Sequence, residues 1–175
     1  SMAVQDQLAL PPITAVHLAD DGRIPNSGLP LVIFHAAIDP RAANAEAFEE
    51  LFRTNGWMPE WRVSIYPYHH YHSTAHEVLG VAEGTARILV GGDYGREFDI
   101  AAGDAIVIPA GVAHKRVLSS ADFLVVGAYP QGQAWDLMTG ERGERPTADR
   151  NIDCVPLPAT DPVDGADGLL TELWR

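Results

Sequence analysis

The sequence predicts an all-β fold, a sandwich or barrel, with one helix ahead of it. Two observations carry this. Between Trp57 and Tyr129, short β-branched or aromatic runs alternate with Gly, Pro and Asp punctuation, at the ~8–12-residue spacing of a sandwich or barrel. Only one stretch, Asp39 to Arg53, carries a sustained helical stripe. The length of 175 residues fits a single domain of ~100–200 residues with a core of its own.

Residues 1–30 are rich in Pro, Gly and Asp and read as an extended arm, with one short strand around Thr14–Leu18. Ser1 ahead of Met2 reads as a scar of tag removal, and the residues after Met2 lack the basic-then-apolar order of a signal peptide. Leu31–His35 is an apolar run compatible with a strand. Asp39 can cap a helix that starts with Pro40. Phe48, Leu51 and Phe52 then form its apolar stripe at i, i+3, i+4, and Asn55-Gly56 stops it.

The expected strands are Arg62–Tyr68, Glu77–Val81, Ala86–Val90, Glu97–Ile100, Ala105–Ile108, Lys115–Leu118 and Phe123–Tyr129. Gly91-Gly92-Asp93-Tyr94-Gly95 lacks the helix and lysine of a phosphate loop and reads as a hairpin turn. After Pro130 the chain is again rich in Pro, Gly and Asp. Trp135, Leu169, Leu170, Leu173 and Trp174 favour a strap packed on the barrel over a disordered tail. The resulting boundaries are 1–56 for arm and helix, 57–130 for the barrel and 131–175 for the strap, within one domain.

Twelve Lys and Arg against 24 Asp and Glu give a formal charge of −12. That balance argues against nucleic acid and anionic membrane as partners, since both need a basic face. No apolar run approaches the ~18–20 residues of a membrane span. Cys154 is the only cysteine, so no intrachain disulfide or cysteine-based zinc site exists. A cytoplasmic location fits. Cys154 itself reads as an inert thiol.

Four of the seven histidines, His69, His70, His72 and His76, lie within eight residues. Side chains alternate on a strand, so His70 and His72 share a side. A bend through Ser73–Ala75 would bring Glu77 to the same point, and His114 opens another strand. Three imidazoles and one carboxylate suit a divalent first-row metal; Fe, Mn, Zn and Ni all remain open. His76, next to Glu77, would face the opposite way, and His69 is out of phase. Arg116 and Leu118 share the phase of His114. Arg116 could clamp a carboxylate or phosphate from inside the barrel, or stay solvated on a strand end. Tyr66 and Tyr68 share the phase of His70 and His72 and are candidates to line the pocket.

The spacing His70-x-His72-x(4)-Glu77-x(6)-Gly84, then Gly103-x(5)-Pro109-x-Gly111-x(2)-His114, resembles the two motifs of the cupins. The resemblance implies a double-stranded β-helix, the cupin jelly-roll barrel, with the N-terminal-half helix and both long arms packed on it. It also implies one bound metal, with His70, His72, Glu77 and His114 as ligands. The motifs cover roughly residues 64–118. Stretches such as His72-Ser73-Thr74-Ala75-His76-Glu77-Val78-Leu79-Gly80, Gly127-Ala128-Tyr129-Pro130 and Val155-Pro156-Leu157-Pro158 are similar to the small bacterial YjlB-like cupins. Two positions depart from the pattern: Ser64 stands for the opening glycine and Leu118 for a closing asparagine.

The four ligands leave one or two positions open, which favours chemistry or ligand binding over a closed structural site. The expected function is a metal-dependent enzyme, dioxygenase-like or an isomerase or decarboxylase, acting on a small polar or carboxylate-bearing molecule. The alternative is a metal-dependent binding or sensing module without turnover. A homodimer is the expected assembly.

Overall fold

The computed structural model describes residues 12–175; Ser1, Met2 and the rest of the first eleven residues of the N-terminal arm lie outside the described residues. The chain runs β1 (Ile13–Leu18), β2 (Ser27–Phe34), α1 (Ala45–Thr54), β3 (Trp57–Val63), β4 (Glu77–Glu83), β5 (Thr85–Val90), β6 (Arg96–Ala101), β7 (Ala105–Ile108), β8 (His114–Ser119) and β9 (Leu124–Pro130). Two short helices complete it, α2 (Thr147–Cys154) and α3 (Leu169–Leu173). All ladders are antiparallel. A six-stranded sheet, ordered β1-β2-β7-β4-β9-β3, faces a three-stranded sheet, ordered β6-β5-β8. This is the jelly-roll barrel, an all-β fold.

Strand alternation divides the large sheet into two buried faces. Leu31, Ile33, Leu79, Val81, Ile106, Ile108 and Val125 point inward and meet Ala86, Ile88, Val90 and Ile100 of the small sheet. Val32, Phe34, Val78, Val107, Val126 and Ala128 point outward and are covered by Phe48 and Phe52 of α1 and by Leu170 and Trp174. A sheet buried on both sides explains why β2, β4, β7 and β9 read as near-continuous apolar runs. The C-terminal arm is tied down at several points: Trp174 Nε1 donates to Pro30 O at 2.8 Å, Trp57 Nε1 to Thr160 O at 3.1 Å, and Asn55 Nδ2 to Pro162 O at 2.9 Å.

Three expectations need correction. The helix expected from Pro40 is interrupted. Asp39 and Pro40 start a single 3-10 turn, Pro40–Ala42, and Asn44 then caps α1 by accepting from Ala47 N at 2.7 Å. A second N-cap so close behind the first resets the backbone. The strand expected over Arg62–Tyr68 lies earlier, at Trp57–Val63, because its ladder with β9 ends at Val63 opposite Val125. From Ser64 the chain crosses the barrel mouth toward the small sheet, where Arg116 N donates to Tyr66 O at 3.0 Å. Finally, Leu118 does not point inward. The β5–β8 register pairs Ile88 with Arg116 and Arg87 with Leu118, so Val117 is a bulge and the alternation flips; Leu118 is exposed.

Candidate metal centre

His70, Tyr71 and His72 form a short strand-like stretch along the open edge of β8. His70 and His114 exchange both backbone hydrogen bonds, at 3.2 and 2.9 Å, and His72 O accepts from Gly111 N at 2.8 Å. Alternation then sends His70 and His72 inward, as the sequence implies. Tyr71 points away, donating its hydroxyl to Glu144 Oε1 at 2.9 Å. Glu77 opens β4 on its inner face, the face of Leu79 and Val81, and His114 opens β8. Four buried side chains therefore meet at one end of the barrel.

Each imidazole is held by its other nitrogen. His70 Nδ1 donates to Tyr68 O at 3.0 Å, His72 Nδ1 to Asp136 O at 2.5 Å, and His114 Nδ1 to Val112 O at 3.1 Å. A carbonyl only accepts, so the hydrogen sits on Nδ1 in all three, leaving Nε2 as a lone-pair donor. One donor nitrogen from each of His70, His72 and His114 lies within 4.8 Å of the other two. These three buried histidines can hold a metal.

Glu77 reaches two of them, with Oε2 at 3.2 Å from His72 Nε2 and Oε1 at 3.2 Å from His114 Nε2. Yet Glu77 Oε1, fully buried, has no hydrogen-bond partner. The two facts agree once the tautomer is fixed: with its hydrogen given to Val112 O from Nδ1, the His114 imidazole presents a lone pair at Nε2, so two acceptors face each other. Neighbouring ligands bound at ~2.0–2.2 Å lie ~3 Å apart. The orphaned oxygen and the donor spacing thus fit a cation between them.

Burial above all lowers the His70 pKa to about 3, so its ring is neutral. Burial works against the charge on His72, but the Glu77 carboxylate outweighs it and raises the pKa. For Glu77, burial favours the acid, while the neighbouring His72 holds the carboxyl well below the usual range. A proton on His72 and a metal ion are alternative ways to balance that carboxylate.

The other oxygen of Glu77 accepts from Tyr129 Oη at 2.5 Å, and Tyr129 Oη in turn accepts from Trp61 Nε1 at 2.8 Å. Trp135 stacks on Tyr129, with ring centroids 4.4 Å apart and planes at 4°. The cluster forms the floor of a cavity of about 290 Å³.

Tyr66 lies on the cavity rim, half-exposed, with its ring stacked on Tyr68 at 5.0 Å. Tyr68 is not among the lining residues; its role here is the carbonyl that takes the His70 proton. Arg116 is not a lining residue either, and its Nε donates to Ile65 O at 3.0 Å. His76 faces the opposite side of the sheet. Its Nδ1 accepts from Ala110 N at 2.9 Å and its ring packs on Trp174. His69 Nε2 lies 2.8 Å from Asp93, away from the cluster. Tyr129, Trp61, Trp135 and Asp136 escaped the sequence reading. Tyr129 alone left a signal, because Glu77 and Tyr129 sit side by side on the inner faces of paired strands.

A cupin domain model matches residues 63–126, which contain all four clustered side chains. The uncharacterized protein YjlB of Bacillus subtilis (strain 168) is 44% identical over 156 residues, covering 89% of this chain and 92% of its own. Among solved structures, a DUF861 family protein from Thermotoga maritima aligns with 20% identity over 47% of this chain and 86% of its own, at a TM-score of 0.32. An oxalate decarboxylase with Mn(II) centers from Bacillus subtilis aligns with 18% identity over 66% of this chain and 29% of its own, at a TM-score of 0.37. The match to the domain model and the extent of the likeness to YjlB place this chain in the cupin family, with the YjlB-like proteins.

Proposed function

We propose that the protein is a metal-dependent enzyme whose four ligands are His70, His72, Glu77 and His114. The observation that supports this most is the grouping of three buried histidine nitrogens within 4.8 Å of one another, with the orphaned Glu77 Oε1 at 3.2 Å from one of these rings. When bound, a divalent ion supplies Lewis acidity and one or two positions for a small oxygen-bearing ligand. The chain's own residues do the rest. Backbone carbonyls fix each imidazole, Tyr129 holds the Glu77 carboxylate, and the cavity above supplies apolar walls. The reaction classes that suit such a site are oxidation by O₂, isomerisation and decarboxylation. The second reading, a binding module without turnover, uses the same ligand set.

The test is elemental analysis of protein purified without chelator or added metal. Near-stoichiometric divalent metal is expected in the parent. A His72→Ala variant should lose most of it, since one of four ligands is gone. Equal metal content in both would overturn the assignment.

A further inference from the structure

The cavity joins a polar floor to apolar walls. Trp61, Val63, Leu79, Trp135 and Leu137 line it above the histidines. Among the described residues that line it, none is Lys or Arg, and the first eleven residues contain neither. Arg116, whose phase suggested an inward cation, is not among the lining residues and donates its Nε to Ile65 O. The outer wall is built rather than loose. Trp135 is stacked on Tyr129, and Asp136, between Trp135 and Leu137, turns the other way to accept from Ser73 N at 2.6 Å and from Ser73 Oγ.

Charge then selects the ligand. A divalent ion and the Glu77 carboxylate together carry one net positive charge, and imidazoles that ligate a metal add none. One monoanion balances it. A dianion would leave a negative charge that no lining cation pairs, set against apolar walls. We infer that the site takes a small, singly anionic oxygen chelate with a planar apolar body, the oxygens on the floor and the body against Trp135 and Leu137. The volume of 290 Å³ is at the lower end of the ~300–1,000 Å³ of small-molecule pockets, which limits that body to about one ring. The inference rests on the metal reading above and narrows it.

The experiment is calorimetric titration of Mn²⁺-loaded protein, its metal content measured first, with three probes. Acetohydroxamate and benzohydroxamate share one monoanionic chelating head and differ in the apolar ring; oxalate is a dianion without a body. Benzohydroxamate should bind about tenfold or more tighter than acetohydroxamate, from burial of the ring, and should quench tryptophan fluorescence. Trp135→Ala, at a half-exposed position outside the core, should remove most of that preference, read as the ratio of the two hydroxamate affinities. Leu137→Arg should strengthen oxalate and weaken benzohydroxamate. Equal affinity for the two hydroxamates, or no gain for oxalate in Leu137→Arg, would overturn the inference while the metal site stands. A protein that holds no divalent metal would overturn the reading beneath it and this inference with it.

Discussion

The proton on His72 Nδ1 is held by a carbonyl 64 residues further along the chain, that of Asp136. Ser73 pins that residue through its N–H and its hydroxyl, and Asn151 Nδ2 donates to the same hydroxyl at 3.1 Å. Asp136 is thus a positioning residue for a proposed ligand. Asp136→Ala should weaken metal affinity about tenfold or more, the usual scale for lost support behind a ligand. Competition against a chelator of known affinity would measure it, and unchanged affinity would mean that the backbone alone keeps the carbonyl in place. That His70 and His72 share a side was legible from strand alternation, and the approach of His114 to them was implied only by the resemblance of the two motifs. Asp136 was not legible, because no local pattern says which distant loop will lie behind an imidazole.

At the scale of elements, two glycines set how closely layers approach. A Cβ on Gly80, on the outer face of β4, would lie inside the contact distance of the Phe48 ring of α1; one on Gly127, on the inner face of β9, would collide with the Trp61 ring. Gly80 therefore seats the helix, and Gly127 lets Trp61 reach across to Tyr129. Gly80→Ala should destabilise the fold by about 1–3 kcal/mol, the cost of overpacking a close contact, without lowering metal content, since the cluster lies on the other face. Urea unfolding with a parallel metal assay would show this; an unshifted midpoint would mean that α1 yields freely. The apolar runs of β4, β7 and β9 were legible from composition because the sheet is buried on both sides. The run through Ser64–Tyr68 misled because a β-prone sequence leaves the sheet once its partner strand ends. Arg116 stayed open for a related reason: alternation suggests which way a side chain leaves the strand, but not which crossing loop it will meet, here Ile65 O.

Across the whole molecule, an excess of twelve negative charges makes the few cations valuable as ties. Arg145 spans two distant pieces. It donates to both oxygens of Asp20, at 2.7 and 2.6 Å, and to both of Asp149 on α2, at 2.9 and 2.6 Å. Its hydrogen bonds hold both carboxyl groups below their usual range. A depressed carboxylate pKa stabilises the fold above the unfolded value of ~3.9, and that contribution is lost as pH falls through the folded value. An Arg145→Gln variant should therefore melt below the parent at neutral pH, with the gap closing toward ~pH 3. A gap of constant size across that range would count against the tie. The pairs are partly exposed, so salt should also narrow the difference at neutral pH.

The remote acceptor behind His72 has a consequence in time. A ribosome adds residues in order, at ~5–20 per second, so all four clustered side chains are made before Asp136 exists. Until the chain has grown past that point, His72 lacks the carbonyl that reserves its Nε2 for a cation. An ion captured early meets three oriented donors and one free to turn the wrong nitrogen inward. If the site holds a metal as proposed, proper loading would thus wait for the first residues of the C-terminal strap, beyond the barrel strands themselves.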